Sequence, residues 1–399
     1  MNWLDYSIVI LYIIFFLGMG FFFKENKDSK DYFLGGKSMS WFPLSLSTMA
    51  TQLSAISFIS APAFVGLKLG GGMKWLTFEF AVPLAMIFIM IVIVPPLFKS
   101  GVVSIYEFVE NRFSASTRLI LSVVFQISRA LATGVMVYAI AIILQAILDI
   151  DFVYTILIIC IITIVYSWQG GMKAVVWGDA IQMIILFAGL IICLYYGWNI
   201  LQENGGLPQG FENERLQVIN YNLGIGEGND YGIIPMLFGG IFLYASYYGC
   251  DQTQAQRLLS AKSEKTVRQL LLANGLLRFP VVLTYCTMGL VIGGLVSVAP
   301  DFLSEIALTT QKYFPEEFAK TGIKVDLMVF WGVVCIASAF LFGGSKSAVI
   351  EIINAVSSVF YGPVLVTFVL AFFSKKVNHI GMNAGIISAV LINLVLSKT

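Results

Sequence analysis

Four ionisable residues stand inside or at the edge of long apolar stretches: Glu79 in LTFEFAVPL, Arg129 in FQISRALAT, Asp179 in VVWGDAIQM and Arg278 in NGLLRFPVV. A charge held in hydrocarbon costs about 2.5–3.5 kcal/mol even on the lenient insertion scale, so each is expected to face a protein interior, a cavity or a partner. Two buried arginines suit an anionic ligand, because the planar guanidinium fork takes a carboxylate through parallel hydrogen bonds. A structural reading competes with this one. An Arg129–Glu79 pair would hold an empty site together, and Asp179, near a span end, would serve equally in an internal salt bridge or at the headgroups.

A second chemical feature is the stretch from Trp41 to Gly66, which carries Ser45, Ser47, Thr48, Thr51, Ser54 and Ser57 in its first two-thirds and Pro62 near its end. Hydroxyls and an unwound turn at membrane depth are tolerated where they face protein or water, and carbonyls freed there can coordinate a small cation. The alternative is a closely packed helix that uses its small residues as a contact face. The stretch from Gly232 to Cys250 is the counterpart: Gly239-Gly240 is followed by Tyr244, Tyr247, Tyr248 and Gly249, a polar aromatic patch on a small-residue helix. Two interrupted helices at corresponding positions of two halves point to an inverted-repeat secondary transporter with its site between them.

The elements that must position these groups are membrane helices. The chain is 58% hydrophobic and only 12% charged, whereas soluble domains are roughly a quarter charged. Apolar runs define eleven candidate spans, near 6–23, 41–66, 74–98, 118–148, 152–168, 175–199, 232–250, 268–298, 326–343, 352–373 and 380–396. Soluble enzyme classes are excluded on this ground. A net charge of +1 leaves no basic surface for nucleic acid. The five cysteines lack CxxC spacing, and the single histidine, His379, lies beside Lys375 and Lys376 in a short loop, which argues against metal and imidazole chemistry. Without a charged leader or a cleavage site, the first apolar segment is expected to remain as a helix. Lysines 24, 27, 30 and 37, together with Arg257, Lys262 and Lys265, mark cytoplasmic loops, so the N-terminus is expected outside. The alternation then fails near the end: two spans separate the acidic outer loop 299–325 from Lys375-Lys376, where an odd number is required.

At these residues the sequence resembles the sodium/solute symporter family, whose members carry sugars, proline, iodide, monocarboxylates, vitamins and sialic acid. The matching strings are YFLGGKSMSWFP (32–43) leading into ATQLSAISF (50–58), SIYEFVENRF (104–113), YSWQGGMKAVVWGDAIQ (166–182), YYGCDQTQAQRLLSAKS (247–263) and VFYGPVL (359–365). The resemblance implies an all-α polytopic membrane protein with a five-plus-five inverted-repeat core, an extra N-terminal helix in 1–36, a first repeat over 37–200 and a second over 232–399. It implies alternating access driven by Na+. By the same resemblance, Ala50 and Leu53 would supply sodium-site carbonyls and Asp179 would belong to a second sodium site. Gln52, Ser54, Ser57, Glu79, Arg129, Tyr247 and Arg278 would face the solute. Arg129 matches a carboxylate-binding arginine of the sialic acid branch, which ATQLSAISFISAPA also resembles most, so the implied solute is a small organic anion such as sialic acid or a monocarboxylate.

One departure accompanies this match. Past Gly322 the family continues into an eighth core helix whose paired serines complete the sodium cage, but here YFPEEFAKTG runs directly into IKVDLMVFWGVVC. The chain is therefore expected to be shortened by one core span and to stop short of the family's last helices after Leu396. A solute-binding sensor or an inactive remnant follows as the alternative function. The expected surroundings are a lipid bilayer at the cell membrane, with no nucleic acid and no obligatory protein partner.

Overall fold

In a computed structural model, the structure describes residues 3–23, 29–53, 55–148, 151–208, 211, 215–224, 231–299 and 349–396. The segment 300–348 holds the predicted span 326–343 and the expected site of internal shortening, so both lie outside the described residues, as does Ser54.

All regular elements among the described residues are helical. We number them α1 (Trp3–Phe22), α2 (Ser29–Leu34), α3 (Trp41–Ala50), α4 (Ala55–Gly66), α5 (Trp75–Lys99), α6 (Ile105–Arg112), α7 (Ala115–Leu148), α8 (Phe152–Glu203), α9 (Ile234–Cys250), α10 (Gln252–Leu259), α11 (Glu264–Val298), α12 (Val349–Phe373) and α13 (His379–Leu396). Five of these stretches are long and apolar enough to cross a bilayer, and shorter apolar helices such as α4 and α9 lie among them. Large side chains on their outer faces, including Ile91, Leu119 and Ile161, are exposed. That distribution is what a hydrocarbon solvent selects.

Ten of the eleven predicted spans coincide with described helices; two of the ten form one stretch. The spans 152–168 and 175–199 join in α8, where Gly171 leaves helical geometry at φ 56° and ψ −155°. A Cβ at that position would lie 2.9 Å from the Tyr32 carbonyl oxygen, so both backbone conformation and space require glycine.

The hydroxyl-rich stretch is two helices rather than one. α3 stops at Ala50, Thr51–Leu53 form a turn closed by the Leu53 amide on the Met49 carbonyl at 2.8 Å, and α4 begins at Ala55. In the second half, α9 begins with a wide turn at Ile234–Gly239, continues to Cys250, and breaks at Asp251, whose φ −84° and ψ 128° are extended. Asp251 then caps α10, its Oδ1 accepting the Thr253 amide at 2.8 Å.

α4 packs along α11 through glycines. A Cβ on Gly66 would stand 2.0 Å from the Gly289 carbonyl oxygen, a separation reached only when two helix backbones touch. Gly66→Ala is accordingly expected to cost about 1–3 kcal/mol through forced separation of the helices. Thermal unfolding in detergent reads the loss; an unchanged midpoint would refute the tight contact.

Candidate solute and ion site

The two breaks meet. Tyr247 Oη on α9 donates to the Thr51 carbonyl in the first break at 3.2 Å, and Gln254 Nε2 on α10 donates to the Thr48 carbonyl at 3.3 Å. Sequence alone puts the second interruption within Gly232–Cys250; the structure keeps that stretch helical and breaks it just beyond, at Asp251, with the residues flanking the break in contact with the first one.

Beside this junction lies a buried polar cluster. Glu79 ends the first short helical segment of α5 and is 4% exposed, and Arg278 on α11 is 3% exposed. Arg278 donates from Nε to Glu79 Oε2 at 2.6 Å and from Nη2 to Oε1 at 2.9 Å, a two-pronged ion pair. Its Nη1 donates to Gln52 Oε1 at 2.6 Å and to Tyr248 Oη at 2.9 Å. Tyr244 Oη donates to Glu79 Oε1 at 3.0 Å, and Tyr248 Oη also donates to Gln52 Oε1. Gln52, Glu79 and Arg278, three of the residues expected to face the solute, are thus brought into one network. Ser57 lies buried in the first turn of α4.

The competing Arg129–Glu79 pair is corrected: the partner of Glu79 is Arg278. Arg129 belongs to a second cluster, in which its Nη2 donates to Tyr361 Oη on α12 at 2.7 Å and its Nε stands 3.4 Å from Asp251 Oδ2. The guanidinium lies over the Tyr247 ring, 5.7 Å from its centroid, and Tyr247 packs in turn against Tyr248 and Tyr361. Tyr247 thereby links the two clusters.

Asp179 sits on α8 and receives Arg257 Nη2 at 2.5 Å and Ser47 Oγ at 2.6 Å. Arg257 Nε also donates to Ser47 Oγ at 2.7 Å. By charge pattern alone Arg257 is a loop cation that marks the cytoplasmic side. It is instead 6% exposed on α10, because an aspartate and a hydroxyl at the end of α3 replace its water. Asp251 and Tyr361 went unnoticed as well, although DQTQAQR carries the aspartate-first signature of a helix start.

For a hard cation, oxygen donors near the negative end of a helix are the appropriate chemistry. Ala50 is the last residue of α3, Leu53 is buried in the turn that follows, and the Thr48 hydroxyl between them and Ser47 is buried without a hydrogen-bond partner. These groups fit such an ion. Asp179 lies on the same helix end through Ser47, with Arg257 supplying its present counter-charge. A groove of about 690 Å³ between α12 and α13 shares no residue with any of these clusters.

Comparison with known proteins gives a consistent picture. The profile of the Sodium:solute symporter family matches residues 32–319. Sodium-coupled monocarboxylate transporter 2 of Danio rerio is 29% identical over 365 residues, which cover 90% of this chain and 56% of that protein. The human Sodium/iodide cotransporter is 28% identical over 295 residues, covering 72% of this chain and 45% of that protein. The chain therefore spans about half the length of these relatives. A solved structure of a Na+-coupled sialic acid symporter in a substrate-bound outward-open state superimposes with a TM-score of 0.75 at 18% identity, covering 100% of this chain and 98% of that one. That likeness bears out the expected fold class, an all-α polytopic fold of the inverted-repeat kind.

Proposed function

Because the chain belongs to the sodium:solute symporter family, we propose that it is a secondary active transporter that carries a small organic anion together with Na+ by alternating access. The observation that carries this reading is the unequal holding of two arginines, Arg278 buried and Arg129 half-buried. Arg278 is saturated by the carboxylate of Glu79, by Gln52 and by two tyrosines, and so presents no free charge. Arg129 has one short hydrogen bond and a long single contact to Asp251, and its Nε has no hydrogen-bond partner. A carboxylate arriving between the breaks finds its strongest unspent donor there.

In this reading the anion's charged end lies on Arg129 against the Tyr247 ring, while its uncharged polar groups meet Gln52, Glu79, Arg278, Ser54 and Ser57. Ala50 and Leu53 carbonyls supply the sodium position and Asp179 a second one. Names of relatives favour a monocarboxylate, and the sequence branch favours sialic acid; both carry the carboxylate that Arg129 requires. The repeats run over 37–200 and 232–399, the second incomplete after 322, in the lipid bilayer of a cell membrane with the N-terminus outside. The non-transporting alternative draws no support from the described residues, which retain both helix breaks and the polar side chains around them.

Uptake of labelled lactate and sialic acid into proteoliposomes tests the proposal. An inward sodium gradient is expected to drive accumulation of at least one of them above equilibrium, and collapse of the gradient by an ionophore to stop it. Uptake of neither acid, or uptake indifferent to sodium, would refute it.

A further inference from the structure

Asp251 carries two roles through two oxygens. Its Oδ1 is committed to α10, accepting the Thr253 amide at 2.8 Å and the Thr253 hydroxyl at 2.5 Å. Its Oδ2 faces Arg129 Nε at 3.4 Å and accepts from Tyr361 Oη at a long 3.5 Å. The carboxylate is 1% exposed, so this second oxygen is a buried negative charge neutralised loosely by one guanidinium. The residue is also the break between α9 and α10, with extended backbone where both neighbours are helical. Arg129 stands on a different helix, α7, and touches Tyr247, which reaches the first break at Thr51.

From this arrangement we infer that Asp251 is an internal stand-in for the anionic solute: it occupies Arg129 when no solute is bound and is displaced when a carboxylate arrives. This rests on the proposal that the solute is an anion received by Arg129. The geometry is that of a holding contact, since a paired arginine and carboxylate at optimum separation stand at about 2.7–2.9 Å with two parallel bonds. Here a single 3.4 Å approach neutralises the charge without satisfying the Nε donor. Displacement frees Oδ2 at the hinge of the second broken helix, so binding of the anion changes the electrostatics of the backbone that has to rearrange. The intrinsic affinity of Arg129 is thereby reduced by the fraction of molecules in which Asp251 holds it. A neutral solute, which makes no claim on Arg129, escapes that reduction.

Asp251→Asn separates the two roles, because asparagine caps a helix as well as aspartate but carries no charge. Thermal stabilisation of the purified full chain by lactate and by sialic acid supplies the readout. Asp251→Asn is expected to lower the half-stabilising concentration of at least one acid by about tenfold. Arg129→Gln is expected to abolish stabilisation, and the double variant to behave as Arg129→Gln alone. Asp251→Ala should also tighten the acid while unfolding at lower temperature through loss of the cap. If Asp251→Asn binds the acid no better than the unmodified chain while Arg129→Gln still abolishes binding, the stand-in role is wrong and the anion proposal survives. If Arg129→Gln leaves binding intact, or neither acid binds the unmodified chain, both fall together.

Discussion

Replacing Arg278 with glutamine is expected to destabilise the protein by about 3–5 kcal/mol, because it leaves Glu79 as an uncompensated charge in the interior. Both members of the pair are almost fully buried, and two hydrogen bonds of 2.6 and 2.9 Å join them. The cost lies in the stranded partner more than in the lost attraction. A Glu79→Gln, Arg278→Met double variant removes both charges and should recover most of the stability. Transport should not return with it, since Gln52, Tyr244 and Tyr248 lose the group that orients them. Thermal unfolding in detergent and uptake measured on the same preparations separate the two effects. A single variant as stable as the parent would show that the pair is hydrated or unformed.

Arg129→Gln carries the second large expectation. Loss of a charge-assisted contact to a buried carboxylate corresponds to about 2–5 kcal/mol, or at least about thirtyfold in affinity. Neutral solutes should lose far less. Arg129→Lys is the informative control: the ammonium preserves charge beside Asp251 but lacks the planar fork, so intermediate affinity is expected. Equal losses for charged and neutral solutes would make Arg129 a structural residue of the α7–α12 contact.

Much of the helical plan was legible in the sequence because hydrocarbon imposes a strong rule on composition. Spans such as 118–148 and 268–298 announce themselves by length and freedom from charge. The break after Ala50 was legible for a related reason, since hydroxyls and a proline at membrane depth are incompatible with a lipid-facing rod. Partners were not legible in the same way. Nothing in FQISRALAT or NGLLRFPVV says which arginine will reach Glu79, because the answer depends on how α5, α7 and α11 are placed around each other. Arg257 illustrates the same limit from the other side. On a charge count it is a loop arginine, and only the approach of Asp179 and Ser47 makes burial favourable. Asp251 stayed hidden because an aspartate at a helix start has an ordinary explanation in capping, which here is one of two roles.

The central claim is that the junction of the two breaks receives an ion and an anion together, and reciprocal binding tests it most directly. Equilibrium binding of the transported acid to the purified chain should tighten as sodium is raised, and sodium binding should tighten by the same factor as the acid is raised, as thermodynamic linkage demands. Acid affinity that stays constant across the sodium range would contradict the account.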